Sequence, residues 1–533
     1  MLIDFRHHAD AAPIEADLCI VGTGAGGVSL AQSFIGTKTS VCVIESGGLE
    51  FDDRTQELYD GKSPFFDLMT SRLRYFGGTT NHYAGECSPL DPIDFEARDW
   101  ITSSGWPISY RDYADYIPAA HDVMDIDLLE YGDELWSVVG AEKAEFDPAR
   151  LEVYFAKHSG YTNGGYWDWP GPVRFGDKYK KTLEAADNVR VFLYANATRL
   201  KSEDGRHVDG LEIKSLDGHV NTVRAKASVL ACGGIETPRL MLVSQDASPD
   251  GLGNEHGNVG RYLVDHPFGM VGTVVARNHE AVKVFSDTFN AGRNKARPVL
   301  RLAPERMRQH RLLNTTLYIG GEQDQTSGVY AAVDLWANLK QGQLSDDFTD
   351  KVLAVLADLD DVAGEFLRAK QGKNVRIPYT DTFNIFGLSE QMPDRESRVK
   401  LMAETDALGL PKVEISMRLH AEQKRTLSHS VDLLGTELAR LGMGRVRKAA
   451  WLADDSEAWR KELSRNGTHP SGTTRMSADP ADGVVNGDCR VHSVDNLYIA
   501  SSSVYPTSGY ANPTMNIAAF ALRLADHLKS VLA

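Results

Sequence analysis

No run of eighteen apolar residues occurs in the 533-residue chain, so the sequence signature of a membrane-spanning helix is missing. Basic clusters are missing too. Lys and Arg number 57 against 74 Asp and Glu, a net charge of −17, and without a basic stripe a DNA or RNA partner is not expected. The acidity reads as solubility. Five cysteines, Cys19, Cys42, Cys87, Cys232 and Cys489, form an odd set with no Cys-x-x-Cys pair, which argues against a disulfide framework and a zinc site. Cys489 and His492 offer two potential metal ligands without a second pair, a spacing that reads as structural. No Pro/Gly/Ser tract is long enough for a disordered linker, no fixed-period repeat appears, and no Gly-x-Ser-x-Gly turn offers a hydrolase nucleophile. The opening residues carry acids where a signal peptide needs an apolar stretch, so the cytoplasm is the expected location.

What is present begins with size. A chain of this length exceeds what one hydrophobic core usually supports, so two lobes with a cleft between them are expected. Residues 17–21 form a short apolar run suited to a buried strand, residues 28–35 repeat apolar side chains at helical spacing, and residues 40–44 supply a second β-branched run. Between the first strand and the helix lies Gly22-Thr-Gly24-Ala-Gly-Gly27, a GxGxxG turn. Gly22 permits the tight turn, Gly24 lets backbone amides approach a pyrophosphate, and Gly27 allows the helix to pack on the strand. Glu45 ends the next strand, about twenty residues on, where a carboxylate accepts hydrogen bonds from a ribose hydroxyl. An acid there disfavours a 2′-phosphate but does not separate NAD from FAD.

Residues 227–231, which lead into Gly233-Gly234, and residues 496–500 resemble further strands of the same sheet, so one domain is assembled from distant parts of the chain. Between them, strand signals at 329–335 and 413–417 and helical patterns at 348–367 and 422–441 are assigned to a second, substrate-facing lobe. The apolar helix at 515–532 is interrupted by Arg523, Asp526, His527 and Lys529, which fits packing rather than membrane anchorage.

The start Ala16-Asp-Leu-Cys-Ile-Val-Gly-Thr-Gly-Ala-Gly-Gly27, with Glu45-Ser-Gly-Gly48, resembles the FAD-binding opening of the glucose-methanol-choline (GMC) oxidoreductases. Arg74-Tyr-Phe-Gly-Gly-Thr-Thr-Asn-His-Tyr-Ala-Gly85 is similar to that family's second glycine motif, and Val229-Leu-Ala-Cys-Gly-Gly-Ile-Glu-Thr-Pro-Arg-Leu-Met-Leu242 to its Thr-Pro signature. Asn258-Val-Gly-Arg-Tyr-Leu-Val-Asp-His-Pro267 matches the segment that follows, and Thr468-His-Pro-Ser-Gly-Thr-Thr-Arg-Met476 through Asn512-Pro-Thr514 the catalytic end. Tyr505-Pro-Thr-Ser-Gly-Tyr-Ala-Asn-Pro-Thr514 and Glu390-Gln-Met-Pro-Asp-Arg-Glu-Ser-Arg-Val399 look closest to sugar-oxidising members such as pyranose 2-oxidases and bacterial glycoside or fructose dehydrogenases. Ser501 stands where many members carry Asp.

The resemblance implies a fold: a Rossmann-like α/β FAD-binding domain from residues 1–95, 185–265 and 465–533, and an α+β substrate domain with a mainly antiparallel sheet from residues 96–184 and 266–464. It implies FAD as cofactor, a small, carbohydrate-like alcohol as substrate, and O2 or another electron acceptor. His469 takes the family's catalytic histidine position, suited to accept the hydroxyl proton. Asn512 takes the second catalytic position, where its amide can orient the substrate oxygen; residue by residue, it also reads as a helix cap before Pro513. Gly77, Gly78, Thr79, Asn81, His82, Ala197 and Ser503 are expected near the cofactor. His82 falls where pyranose 2-oxidases carry a histidine joined covalently to the flavin, but its neighbours Asn81 and Tyr83 differ, and a non-covalent contact is expected. A non-redox lyase resembling the hydroxynitrile lyases and, further off, a nicotinamide-dependent dehydrogenase are the alternative readings.

Overall fold

The run Leu18-Cys19-Ile20-Val21 folds as the buried end of strand β1 (Ile14–Val21), in a computed structural model that describes all residues except 161–170, 341–346, 371–374, 376, 455–456, 464 and 467. The glycine turn follows at once and leads into helix α1 (Ala25–Ser33) and then strand β2 (Val41–Ile44), every residue of which is buried. β2 pairs parallel with β1, with Val21 opposite Ile44. On the other side of β1 runs β3 (Val220–Leu230), also parallel, and helix α2 (Gly233–Val243) follows it. Strands covered on both faces read as continuous Val/Ile/Leu runs, which is why the signal here is a block rather than an alternation.

The sheet has eight strands from distant parts of the chain. Leu2–Asp4 and Val189–Leu193 extend it beyond β2, Leu497–Ile499 pairs parallel with the end of β3, and an antiparallel flap of Gly210–Lys214 and Asn196–Lys201 pairs with the start of β3.

A second sheet of nine strands is antiparallel throughout. Its order runs from Gly444–Lys448 through β4 (Pro267–Ala276) to a central hairpin-like pair and out to Leu151–His158 and Glu86–Cys87. The strands between are β5 (Asn294–Leu302), β6 (Thr315–Gln323) and β7 (Tyr379–Ser389), in the spatial order β4, β7, β6, β5. Glu86–Cys87, close in sequence to the glycine motifs, thus belongs to the second sheet, at the point where the two sheets meet the site.

Between β6 and its neighbour β7 the described residues make three helices, α3 (Gly328–Lys340), α4 (Phe348–Ala357) and α5 (Leu359–Lys370). The expected strand at 329–335 is therefore a helix. Val329 and Val333 lie four apart, a helical spacing, and Ser327 Oγ accepts the Tyr330 amide hydrogen at 3.2 Å, a start signal passed over in sequence. The pattern at 348–367 divides at Asp358, whose carboxylate accepts the Gly328 amide hydrogen at 2.5 Å. Helix α6 (Ala421–Arg440) and strand Pro411–Ser416 lie where the patterns at 422–441 and 413–417 place them. The last helix, α7 (Pro513–Val531), packs against α1 beside the glycine turn. No described helix is long and apolar enough to cross a membrane.

Candidate active site

The glycine turn is built by exclusion. Gly22 has φ +102°, and a Cβ there would stand 2.8 Å from the Ala231 carbonyl oxygen. A Cβ on Gly27 would meet the Gly22 carbonyl oxygen at 1.9 Å, so helix and strand touch here only because Gly27 lacks one. At Gly24, by contrast, nothing lies within 4 Å of that position. This residue faces open space, the surface a phosphate needs for approach to the helix N-terminus.

That space is a cavity of about 680 Å³ reaching from the turn to the C-terminal motif. Gly22, Gly24, Glu45, Gly78, Thr79, His82, Ala197, His469 and Asn512 all line it. Gly27, Gly77, Asn81 and Ser503 stand behind the wall. The Asn81 side chain donates to the Phe76 carbonyl at 2.8 Å and accepts from the Gly176 amide at 3.2 Å, bracing the second glycine motif. Ser503 hydroxyl bonds with Thr474 at 2.6 Å and Ser501 at 2.7 Å, and Ser501 and Ser502 line the cavity in its place.

Glu45 is buried, and its carboxylate accepts from the Thr23 amide at 3.1 Å, the Thr23 hydroxyl at 2.5 Å and the Gly47 amide at 2.9 Å. Thr23 Oγ1 in turn accepts from the Gly77 amide at 3.1 Å. One hydroxyl thereby ties the first glycine turn, the end of β2 and the second glycine motif together. Each carboxylate oxygen has more than one lone pair, so Glu45 keeps capacity for a ribose hydroxyl.

The charged wall beside it fits a diphosphate. Arg72 and Arg74 stack on the Tyr59 ring at 3.9 and 4.3 Å and both reach Glu236, at 3.1 and 2.7 Å. Burial pushes the Glu236 carboxyl up, but Arg239, Arg74 and Arg72 outweigh it and hold the group at about 2. Arg72 is buried and lines the cavity, yet its Nε and Nη2 have no hydrogen-bond partner. Buried guanidinium donors without an acceptor are costly, and a phosphate oxygen would satisfy them. Orphaned donors and an open glycine turn thus fit the dinucleotide FAD.

At the other end of the cavity His469 lies in the wall, its Nδ1 2.9 Å from Nδ1 of His266. Both are positioned by Asp265, whose Oδ1 accepts the backbone amides of His266 at 2.7 Å and His469 at 2.8 Å. The Asp265 amide donates to Gln391 at 2.9 Å, and the adjacent Glu390 is clamped by Arg98 through bonds of 2.9 and 2.6 Å. His266 Nε2 stands 3.3 Å from the Ser508 carbonyl oxygen. A carbonyl only accepts, so this Nε2 carries the proton and neutral His266 offers Nδ1 as acceptor. His469 Nδ1 must then be the donor, and His469 Nε2 keeps a free lone pair. Burial lowers His266 to about 4, and burial followed by the neighbouring His266 holds His469 well below the ordinary imidazole value.

Asn512 occupies the cap position of α7 but makes no side-chain cap bond; its Nδ2 donates to the Glu86 carbonyl at 3.1 Å. The cap reading is thus right in place and not in bonding. Glu86 also lines the cavity, accepting from the Tyr318 hydroxyl at 2.8 Å and pairing with Arg297 at 3.3 Å. His82 lines the cavity with its pKa lowered by partial burial. Cys489 is a buried thiol pushed up to about 12. Thr23, Arg72, Glu86 and the Asp265–His266 pair were given no role by sequence reasoning, although Asp265 and His266 lie within the Asn258 to Pro267 motif.

A dinucleotide turn opening on a cavity that ends at a histidine with a free lone pair is the layout of a nucleotide-cofactor site whose histidine can take up a proton. Two family models, each described as GMC oxidoreductase, match residues 92–268 and 393–521, and the chain belongs to the GMC oxidoreductase family, FAD-dependent enzymes that oxidise alcohols. Over nearly its whole length the chain is similar to 2-methyl-1,2-propanediol dehydrogenase of Mycolicibacterium austroafricanum, at 22% identity, with 96% of this chain and 95% of that protein covered. Paromamine 6'-oxidase of Streptomyces fradiae is 25% identical, with coverages of 96% and 90%. Among solved structures, pyridoxine 4-oxidase from Mesorbium loti superposes with a TM-score of 0.55 at 18% identity, covering 97% of this chain and 99% of that one, a likeness of fold.

Proposed function

We propose that the protein oxidises a CH–OH carbon of a carbohydrate-like alcohol to a carbonyl, with His469 as the base and O2 or another acceptor completing the cycle. The observation that carries this is the His266–His469 contact, which leaves His469 Nε2 as an unprotonated acceptor in the wall of the cavity. FAD, when bound, supplies the two-electron acceptor for the carbinol carbon. His469 removes the hydroxyl proton, so the oxygen's electron pair can form the carbonyl as the hydride departs. Asn512, with its amide held against Glu86, orients the substrate oxygen but cannot act as base. Thr23, Glu45 and Arg72 would hold the cofactor, and Gly78, Thr79 and His82 line the same cavity.

In this reading residues 1–95, 185–265 and 465–533 form the cofactor lobe, apart from Glu86–Cys87, which pair into the second sheet, and residues 96–184 and 266–464 the substrate lobe. Relatives named for paromamine and 2-methyl-1,2-propanediol support a polyhydroxylated substrate, and five free cysteines support a cytoplasmic setting. The test is an anaerobic visible spectrum of the flavin-loaded protein against sugars, glycosides, amino sugars and simple alcohols. Bleaching by a polyhydroxylated compound is expected. A flavin that no alcohol bleaches, in a protein that cleaves cyanohydrins, would replace this reading with the lyase one.

A further inference from the structure

Half of the large apolar side chains left exposed among the described residues lie between Trp336 and Leu367, on the three helices inserted between β6 and β7. They include Trp336 and Leu339 on α3, Leu353 and Leu356 on α4, and Phe366 and Leu367 on α5, exposed by 55 to 61%. α3 packs on α4 and α5, yet neither α4 nor α5 contains a buried residue. Helices of ten and twelve residues are marginal on their own and draw stability from a covered apolar face. A monomer rarely leaves so concentrated a patch open.

We propose that a second copy of this chain covers this face, forming a twofold helical interface. Area supports it. With each of the eight side chains at roughly half exposure and on the order of 100 Å², the three helices together expose about 800 Å² of them, the share per partner of a standard interface. Charge supports it as well. Lys340 lies over the Trp336 ring at 3.6 Å and Lys370 over Phe366 at 4.8 Å, while Asp350, Asp360 and Asp361 are exposed on the same helices. Helices carrying both signs can pair with their own copy under a twofold axis, where each surface meets itself.

The test is light scattering after size-exclusion chromatography of the FAD-loaded protein at micromolar concentration. A dimer is expected, and a Leu353→Lys/Phe366→Lys double variant should run as a monomer with the parent's flavin spectrum and activity within about twofold. A monomeric parent, or a variant that stays dimeric, overturns the proposal. So does a monomeric parent that sediments with phosphatidylcholine vesicles, which would assign the face to lipid. Amide exchange over a protein-concentration series reads the same face without substitution: protection of α4 and α5 must rise with concentration, and constant protection is a contradiction.

Discussion

The Nδ1 atoms of His266 and His469 stand 2.9 Å apart and share a single proton. Because Ser508 fixes the proton of His266 on Nε2, that shared proton belongs to His469, and the tautomer of the proposed base is set through His266. His266→Phe removes the acceptor and frees the His469 ring to turn. It should keep bound FAD while slowing flavin reduction by about 10²-fold, the scale of a misplaced reacting group. His266→Gln, whose amide oxygen can accept in place of Nδ1, should restore much of the rate. Equal rates in the two variants would remove His266 from this role.

The pH dependence follows from the direction of the His469 shift. Its folded pKa lies well below 6.5 because burial and His266 both disfavour the cation, and proton abstraction needs the neutral ring. The reductive rate must therefore rise with pH through a pKa below the usual imidazole range and be flat on that account near pH 7. Stopped-flow reduction between pH 4 and 8 checks this, with 6.5 as the dividing line. An acid limb centred above it would contradict the desolvated site.

Two glycines of one turn should fail differently. Gly27→Ala places a Cβ 1.9 Å from the Gly22 carbonyl oxygen and should destabilise the fold by about 1–3 kcal/mol through overpacking, read as a lower melting temperature with or without FAD. Gly24→Ala meets nothing within 4 Å, so the melting temperature without FAD should hold while flavin affinity falls. Loss of fold in both, or of flavin in neither, would break the assignment of Gly24 to phosphate approach.

Acid precipitation reads the contact at His82. Because its neighbours Asn81 and Tyr83 differ from those of the covalent flavoproteins, His82 is expected to touch the flavin without a bond to it, so the colour should pass to the supernatant. A washed pellet that stays yellow, and loses the colour in His82→Ala, would show a covalent link.

The nucleotide end was legible because its signals are local. The apolar block at 17–21, the glycines at 22, 24 and 27 and Glu45 all act within one βαβ unit, whose apolar strand blocks and 3.6-residue helical period are written in consecutive residues. The helix at 328–340 was misread because two valines weighed more than the Ser327 cap, a case of propensity overridden by a start signal. Arg72, Glu86 and His266 were illegible for another reason. Each takes its role from a partner far along the chain, Glu236, Tyr318 and His469 respectively, and such pairings arise only when the sheets are assembled.

The most direct measurement is stopped-flow flavin reduction of His469→Ala under nitrogen, with the best substrate from the anaerobic panel. FAD should remain bound, since Thr23, Glu45 and Arg72, the residues proposed to hold it, lie at the far end of the cavity, and reduction should slow by about 10²–10⁴-fold, the range for losing a positioned acid–base group. Asn512→Ala should cost less, because the base remains. If His469→Ala reduces its flavin as fast as the parent, His469 is not the base, and another acceptor in the cavity must take the hydroxyl proton.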